Sequence, residues 1–187
     1  MASTVSRVLH DVGLAAWFGG TLANAVSLNH AASKVGDPNE AGRVANDGWD
    51  RWTPVNAVAI GVHLVGAVGQ LAANRERVRT QPAVRVTSAV KTGFTVAALG
   101  ATAYSRKLGR TVSKNQDVAV RGGTTPSTQT PPDVADAQRQ LDALQWLIPV
   151  LTGSIIGTAS ALGEQQRPPN RAVGFIDRTA RRVVEKS

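Results

Sequence analysis

Residues 53–74 read TPVNAVAIGVHLVGAVGQLAAN, an uncharged stretch with His63 at its centre. A helix of about 20 apolar residues is long enough to cross the hydrocarbon core of a bilayer. Three arginines, Arg75, Arg77 and Arg79, follow directly, where a membrane helix would leave the bilayer. The stretch therefore predicts a transmembrane helix, and we expect the other helices to pack against it.

One face of this helix is polar or small, whereas its other positions are mostly Val, Ile, Leu and Ala. The residues of that face recur at a spacing that keeps them on one side of a helix: Asn56, His63 and Gln70, interleaved with Ala59, Gly66 and Ala73. We expect this face to point at other helices. A similar face on the first helix is formed by His10, Gly13, Trp17, Gly20, Asn24, Ser27 and Ala31.

Further stretches of low charge predict an all-α fold, a four-helix transmembrane bundle occupying residues 1–163. The predicted spans are about 10–33, 53–74, 86–105 and 143–163. Residues 114–132 are rich in Gly, Thr and Pro and predict a long, flexible, disordered loop before the fourth span. Residues 164–187 predict a basic amphipathic tail, either cytoplasmic or interfacial.

A helix start is also predicted between the first two spans. Asp37 has the character of an N-cap, Pro38 suits the first helical position, and Glu40 suits the third. We interpret this signal as a short surface helix that precedes the central span.

The composition argues against several kinds of site. Cysteine is absent, which excludes a disulfide framework and a zinc–thiolate site. Met1 is the only methionine, which counts against a soft copper site. The net charge of +8 comes with no nucleic-acid-binding signature, so it favours an anionic membrane surface. We expect no cofactor, no bound metal, no nucleic-acid partner and no catalytic residues.

The predicted topology is that of a multi-pass protein of the cell membrane. Four spans place both termini on the same side as the loop at 75–85, and this side has a modest excess of Lys and Arg. Because such residues accumulate in cytoplasmic loops, we predict cytoplasmic termini. The aromatic residues that should mark the outer interface are Trp49, Trp52, Tyr104 and Trp146.

The midpoints of the predicted spans place polar residues at shared depths. Asn24, His63 and Thr95 should form one intramembrane layer, and His10 and Gln70 should lie nearer the cytoplasm. One interpretation is that these groups only join the helices by hydrogen bonds, worth about 0.6 kcal/mol each on average. The other is that His63 marks a path for a proton, an ion or a ligand.

Two pairings of these residues can be assessed from the same depths. His10 and His63 could ligate one haem iron only if they were level, and the predicted topology separates them by about half the bilayer. Asp11 and Lys91 both lie near the cytoplasmic interface, so an ion pair between them is expected.

Small residues predict the places where helices approach closely. Gly153 and Gly157 form a small-xxx-small motif, and Gly20 and Gly66 lie on the two inward faces described above. The predicted tail is expected to bind anionic lipid through four arginines, Arg171, Arg178, Arg181 and Arg182.

These features favour a non-catalytic accessory or assembly subunit of a larger transport, envelope or respiratory membrane complex. Its partners would be the bilayer, with anionic lipid at the cytoplasmic face, and other membrane subunits or further copies of the chain. The alternative is a small transporter or channel-like protein that uses the polar layer around His63. A soluble basic helical protein is a third interpretation, which the long uncharged runs oppose.

Overall fold

Helices form nearly all of the structure, a computed structural model that describes residues 2–115 and 117–165. The elements in chain order are α1 Ala2–Ala23, a π-helical segment Asn24–Leu28, α2 Asn29–Ala32, α3 Pro38–Ala73, α4 Arg75–Thr80, α5 Pro82–Ser113, β1 Val120–Gly122, β2 Thr125–Pro126 and α6 Pro132–Gln165. The predicted all-α class is confirmed. The predicted basic tail, with its four arginines, lies outside the described residues.

The long helices form two antiparallel pairs. One pair is α1 with α3, and the other is α5 with α6. The pairs are joined mainly through α1 and α6, because α3 and α5 meet in only a few places. A buried cluster of Leu14, Trp17, Ala98 and Ile155 lies where the two pairs meet. The poor contact between α3 and α5 leaves a groove between them.

Glycines set the close approach of α1 and α3. A Cβ atom on Gly13 would lie 2.5 Å from the carbonyl oxygen of Ala59 and from the backbone nitrogen of His63. A Cβ atom on Gly66 would come closer than 3.0 Å to the backbone of His10. Only glycine permits these backbone contacts, so Gly13 and Gly66 lie where α1 and α3 pack most closely.

Helix α3 is longer than the sequence suggested. Its start is as predicted: the Asp37 carboxylate accepts a hydrogen bond of 2.8 Å from the Asn39 backbone nitrogen, and Pro38 is the first helical residue. A separate surface helix was wrong, because α3 continues without a break through Pro54 to Ala73. The uncharged stretch marks the apolar part of a helix that begins well before it.

The prediction of an uncored, disordered loop at 114–132 is also wrong, because residues there fold into a short hairpin. Strands β1 and β2 pair antiparallel, and the Val120 side chain is buried, with its Cγ2 3.1 Å from a Cβ placed on Gly42. The fully buried Gln138 amide donates a 3.0 Å hydrogen bond to the Gly122 carbonyl. The missing apolar core is replaced by one valine and by side-chain hydrogen bonds to the backbone.

Two of the long helices are apolar enough to cross a membrane. These are Pro38–Ala73, with a mean hydropathy of 1.6 over its most apolar window, and Pro132–Gly163, with 1.4. Only 22% and 28% of these windows are buried inside the protein, whereas the core helix of a water-soluble protein is mostly buried. A bundle of four transmembrane helices is not established, because polar residues such as His10 in α1 and Lys91 in α5 make the other two less apolar.

Candidate functional site

Two histidines pack against each other between α1 and α3. The side chains of His10 and His63 are both fully buried. Their ring centroids are 4.5 Å apart, and the ring planes are tilted by 48°. The Trp17 ring meets the His63 ring edge-on, with centroids 6.0 Å apart. The three rings form one buried aromatic cluster.

Hydrogen bonds fix which ring nitrogen carries the proton in each histidine. His10 Nδ1 lies 2.7 Å from the Asp11 carboxylate, and His63 Nδ1 lies 3.2 Å from the His10 carbonyl oxygen. A carboxylate and a carbonyl can only accept, so each Nδ1 is the donor and each neutral ring has its lone pair on Nε2. Neither Nε2 atom has a hydrogen-bond partner among residues 2–115 and 117–165.

The contact between the histidines corrects their predicted separation of half a bilayer. The prediction compared the midpoints of uncharged stretches, but the alignment of α1 with α3 is set by the glycine contacts at Gly13 and Gly66. The same contact argues against a haem between the rings, because rings packed at 4.5 Å leave no space for a planar macrocycle. No cluster of three or more metal-ligating side chains occurs in the part of the chain that the structure describes.

The expected ion pair between Asp11 and Lys91 is not formed. The Asp11 carboxylate accepts the hydrogen bond from His10 instead, and it attracts the Lys91 ammonium only over a longer distance. Lys91 is 9% exposed, so it lies inside the bundle rather than extending to the surface.

The predicted layer of Asn24, His63 and Thr95 is not assembled as expected. Asn24 lies fourteen residues beyond His10, which is about 21 Å along a helix, and His10 is the residue that contacts His63. The Thr95 hydroxyl donates a 3.0 Å hydrogen bond to the Lys91 carbonyl of its own helix. Gln70 is half-buried beside a polar cavity near the C-terminal end of α3.

The inward face of the first helix is displaced by the π-helical segment. Ser27 and Ala31 were predicted to continue that face but are exposed, whereas Asn29 and Ala32 are buried. A π-turn adds one residue to a helical turn, which rotates every later side chain. The usual spacing rules assume an uninterrupted α-helix, so they missed Asn29.

Asn29 joins three helices through its amide group. Its Nδ2 donates a 2.6 Å hydrogen bond to Gln145 of α6, and its Oδ1 accepts a 3.0 Å hydrogen bond from Trp49 of α3. Gly123 of the hairpin packs directly against it. The hairpin and Asn29 together close this end of the bundle.

The groove between α3 and α5 contains a cavity of about 320 Å³. Trp49, Trp52 and Asn56 contribute to its wall from α3, and Thr102 and Arg106 contribute from α5. Two of the predicted interface aromatics, Trp49 and Trp52, thus share one wall. The sequence signal for this site was their position directly before the apolar stretch at 53–74.

The predicted packing glycines are used unequally. Gly20 lies under the Trp52 ring, and a Cβ on Gly153 would touch the Phe18 ring at 3.5 Å. A Cβ on Gly157 would meet nothing within 4 Å. The small-xxx-small motif of α6 therefore packs through only one of its two glycines.

Comparisons with known proteins add no further evidence about this site. No protein-family model matches the chain, and neither a curated protein nor a solved structure matches it.

Proposed function

We propose that this chain is an integral membrane protein whose four long helices cross the bilayer, and that it serves as a non-catalytic accessory or assembly subunit of a larger membrane complex. The observation that carries the proposal is the outward surface of the helices, which is apolar and small-residue-rich and has no partner in the described part of the chain. The cytoplasmic position of both termini belongs to the same proposal.

The exposed side chains support immersion in lipid. Large apolar residues point outward from all four long helices: Val5, Val8 and Val12 on α1, Val55, Val58, Val65 and Val68 on α3, Val86, Val90 and Val96 on α5, and Leu147, Val150 and Ile156 on α6. A water-soluble monomer rarely exposes apolar surface this widely, whereas hydrocarbon covers it without cost.

The helix pairing supports membrane insertion of α1 and α5. Each packs antiparallel along one of the two more apolar helices, α1 along α3 and α5 along α6. A helix that is packed along a membrane-spanning partner lies at the same depth. Burying His10 and Lys91 inside the bundle keeps their polar groups away from lipid.

The outward face of α5 supports a protein partner. Val84, Lys91, Ala98 and Val112 form its buried face, and Gly93 and Gly100 lie on the opposite side with open space around them. Alanines 89 and 97 are exposed on that side as well. Small residues let a second helix approach closely, so this face suits a helix of another subunit.

Affinity purification in mild detergent tests the accessory role. We expect the wild-type chain to bring down foreign membrane subunits in stoichiometric amount, and Gly93→Leu or Gly100→Leu to lose most of them while still inserting. The matched control is Gly61→Leu on α3, because Gly61 also has open space around it. Purification of the wild type as a homo-oligomer without foreign subunits would contradict the accessory role and favour the transporter.

A small transporter or channel-like protein is the second candidate function. It is favoured by the two buried histidines whose Nε2 lone pairs have no partner among the described residues. Ionisable side chains inside a membrane commonly mark proton or ion paths. The histidine substitutions discussed below separate this candidate from a structural role.

A further inference from the structure

The polar cavity at the end of the bundle, where α1 begins and α3 and α6 end, has a volume of about 370 Å³. This volume is within the range for ligand pockets. Its polar wall is formed by Arg7 of α1, Gln70 of α3, Asn74 between α3 and α4, and Arg77 of α4. On the proposed topology this end of the bundle faces the cytoplasm, so the cavity lies at the depth of lipid head groups.

The two arginines of this wall have no counter-ion in the described part of the chain. Neither Arg7 nor Arg77 forms an ion pair there. Asp11, one helical turn after Arg7, accepts a hydrogen bond from His10 instead. Glu76 directly precedes Arg77, and adjacent residues of a helix do not face each other. Both arginines are exposed, so their guanidinium groups are open to a ligand.

The hydrogen-bonding groups of the wall favour an anion. No carboxylate lines the cavity among the residues whose side chains the structure describes. The Asn74 amide nitrogen donates a 2.9 Å hydrogen bond to the Gln70 carbonyl oxygen, so the donors that remain are the two guanidinium groups and the Gln70 side-chain amide. The planar fork of a guanidinium matches the oxygens of a phosphate, to which it donates two parallel hydrogen bonds. The wall therefore suits a phosphate group.

The rest of the wall favours a lipid over a free phosphate ion. Ala73 of α3 and Ala159, Leu162 and Gly163 of α6 line it, and none of these side chains can bind an anion. An inorganic phosphate would gain nothing from this apolar part. A phospholipid carries a glycerol group and acyl chains beside its phosphate, so it can contact both parts of the wall.

We propose that this cavity binds the phosphate head group of an anionic phospholipid between Arg7 and Arg77, with the Gln70 amide as a further donor. Basic pockets between membrane helices on the cytoplasmic side bind such head groups. The site is separate from the arginines of the predicted tail. The inference rests on the membrane insertion proposed above and does not depend on the accessory role.

Native mass spectrometry of the full chain in a neutral detergent tests the proposal, because it resolves each bound lipid molecule by mass. The probes are dioleoylphosphatidylglycerol, which is anionic, and dioleoylphosphatidylcholine, which has the same chains and no net charge. We expect the first phosphatidylglycerol to bind at least about tenfold more tightly than the first phosphatidylcholine. Equal affinity for the two lipids would overturn the proposal.

Three variants make the test specific to this cavity. Arg7→Gln and Arg77→Gln should each raise the Kd of the first phosphatidylglycerol about tenfold, because each removes a charge-assisted hydrogen bond. Arg79→Gln is the matched control, since it removes the same charge from the same helix but Arg79 does not line the cavity. Equal weakening in all three variants would indicate only a diffuse surface charge and would overturn the proposal.

A competition with inorganic phosphate distinguishes the lipid from a free anion. We expect inorganic phosphate in large molar excess to leave the bound phosphatidylglycerol in place, because the lipid also contacts the apolar part of the wall. Displacement of the lipid would show that the cavity binds a free phosphate and would overturn the lipid assignment. A chain that crosses the bilayer and binds foreign subunits, but shows no preference for phosphatidylglycerol, would overturn this inference alone.

Discussion

At the scale of single residues, the burial of His63 could be predicted from sequence, but its contacts could not. Its spacing with Asn56 and Gly66 predicted an inward face, and all three are buried. Its contact with His10 was not predictable, because that contact depends on the alignment of two helices that only their three-dimensional packing defines. The orientation of its ring follows from one backbone carbonyl on the neighbouring helix.

Substitution of His63 separates a structural role from a path. Gln retains a donor and an acceptor at this position, so we expect His63→Gln to keep its thermal stability in detergent and its assembly with partners. His63→Leu should lower the free energy of unfolding by about 1–2 kcal/mol, the cost of an unpaired buried group. The second measurement is whether each variant restores the transport or growth phenotype of a deletion strain. A His63→Gln protein that is stable but fails to restore it would contradict the structural role and support a proton or ion path.

Asn29 is the residue whose loss should be most informative at the closed end of the bundle. Asn29→Leu would leave its half-buried partners on Trp49 and Gln145 unpaired, so we expect a loss of about 1–3 kcal/mol. Asn24→Leu, five residues earlier at the start of the π-helical segment and only half-buried, is the control and should cost less. Thermal unfolding in detergent compares them, and equal losses in the two variants would contradict the assigned role of Asn29.

At the scale of elements, the sequence predicted the existence of the long helices better than their ends. Uncharged stretches locate the apolar part of each helix, but α3 and α5 continue into polar sequence. The π-helical segment and the hairpin were missed for a different reason. The hairpin depends on contacts with distant residues, as Val120 with Gly42 and Gln138 with Gly122 illustrate.

The glycine contacts between α1 and α3 predict a strong position dependence. Gly66→Leu would place a side chain where even a Cβ atom would meet the His10 backbone. We expect this overpacking to lower the free energy of unfolding by about 1–3 kcal/mol. Gly61→Leu, one and a half turns away in open space, should be tolerated. Comparable thermal stability of the two variants in detergent would show that α1 and α3 are not held together in this way.

At the scale of the whole molecule, two antiparallel helix pairs meet through α1 and α6 and separate between α3 and α5. This arrangement explains both the buried histidine pair and the groove, since one lies within a pair and the other lies between pairs. The four-helix architecture followed from counting uncharged stretches, but the pairing of the helices did not. Which helices pair depends on which surfaces face each other. Gly and Ala are so common in this chain that the sequence does not identify the facing surfaces.

The central claim is that all four long helices cross the membrane, and α5 is its most demanding case because Lys91 lies within it. The chain has no cysteine, so a single introduced cysteine reports its own position when cells are treated with a membrane-impermeant maleimide. Gln81 and Thr128 are exposed on either side of α5, and Val96 is exposed within it.

Labelling of these three positions in intact and permeabilised cells is the most direct test. We expect Thr128→Cys to react in intact cells, Gln81→Cys to react only after permeabilisation, and Val96→Cys to react in neither because lipid excludes the water that the reaction needs. Reaction of Thr128→Cys and Gln81→Cys from the same side, together with ready labelling of Val96→Cys, would show that α5 does not cross the bilayer and would contradict the account.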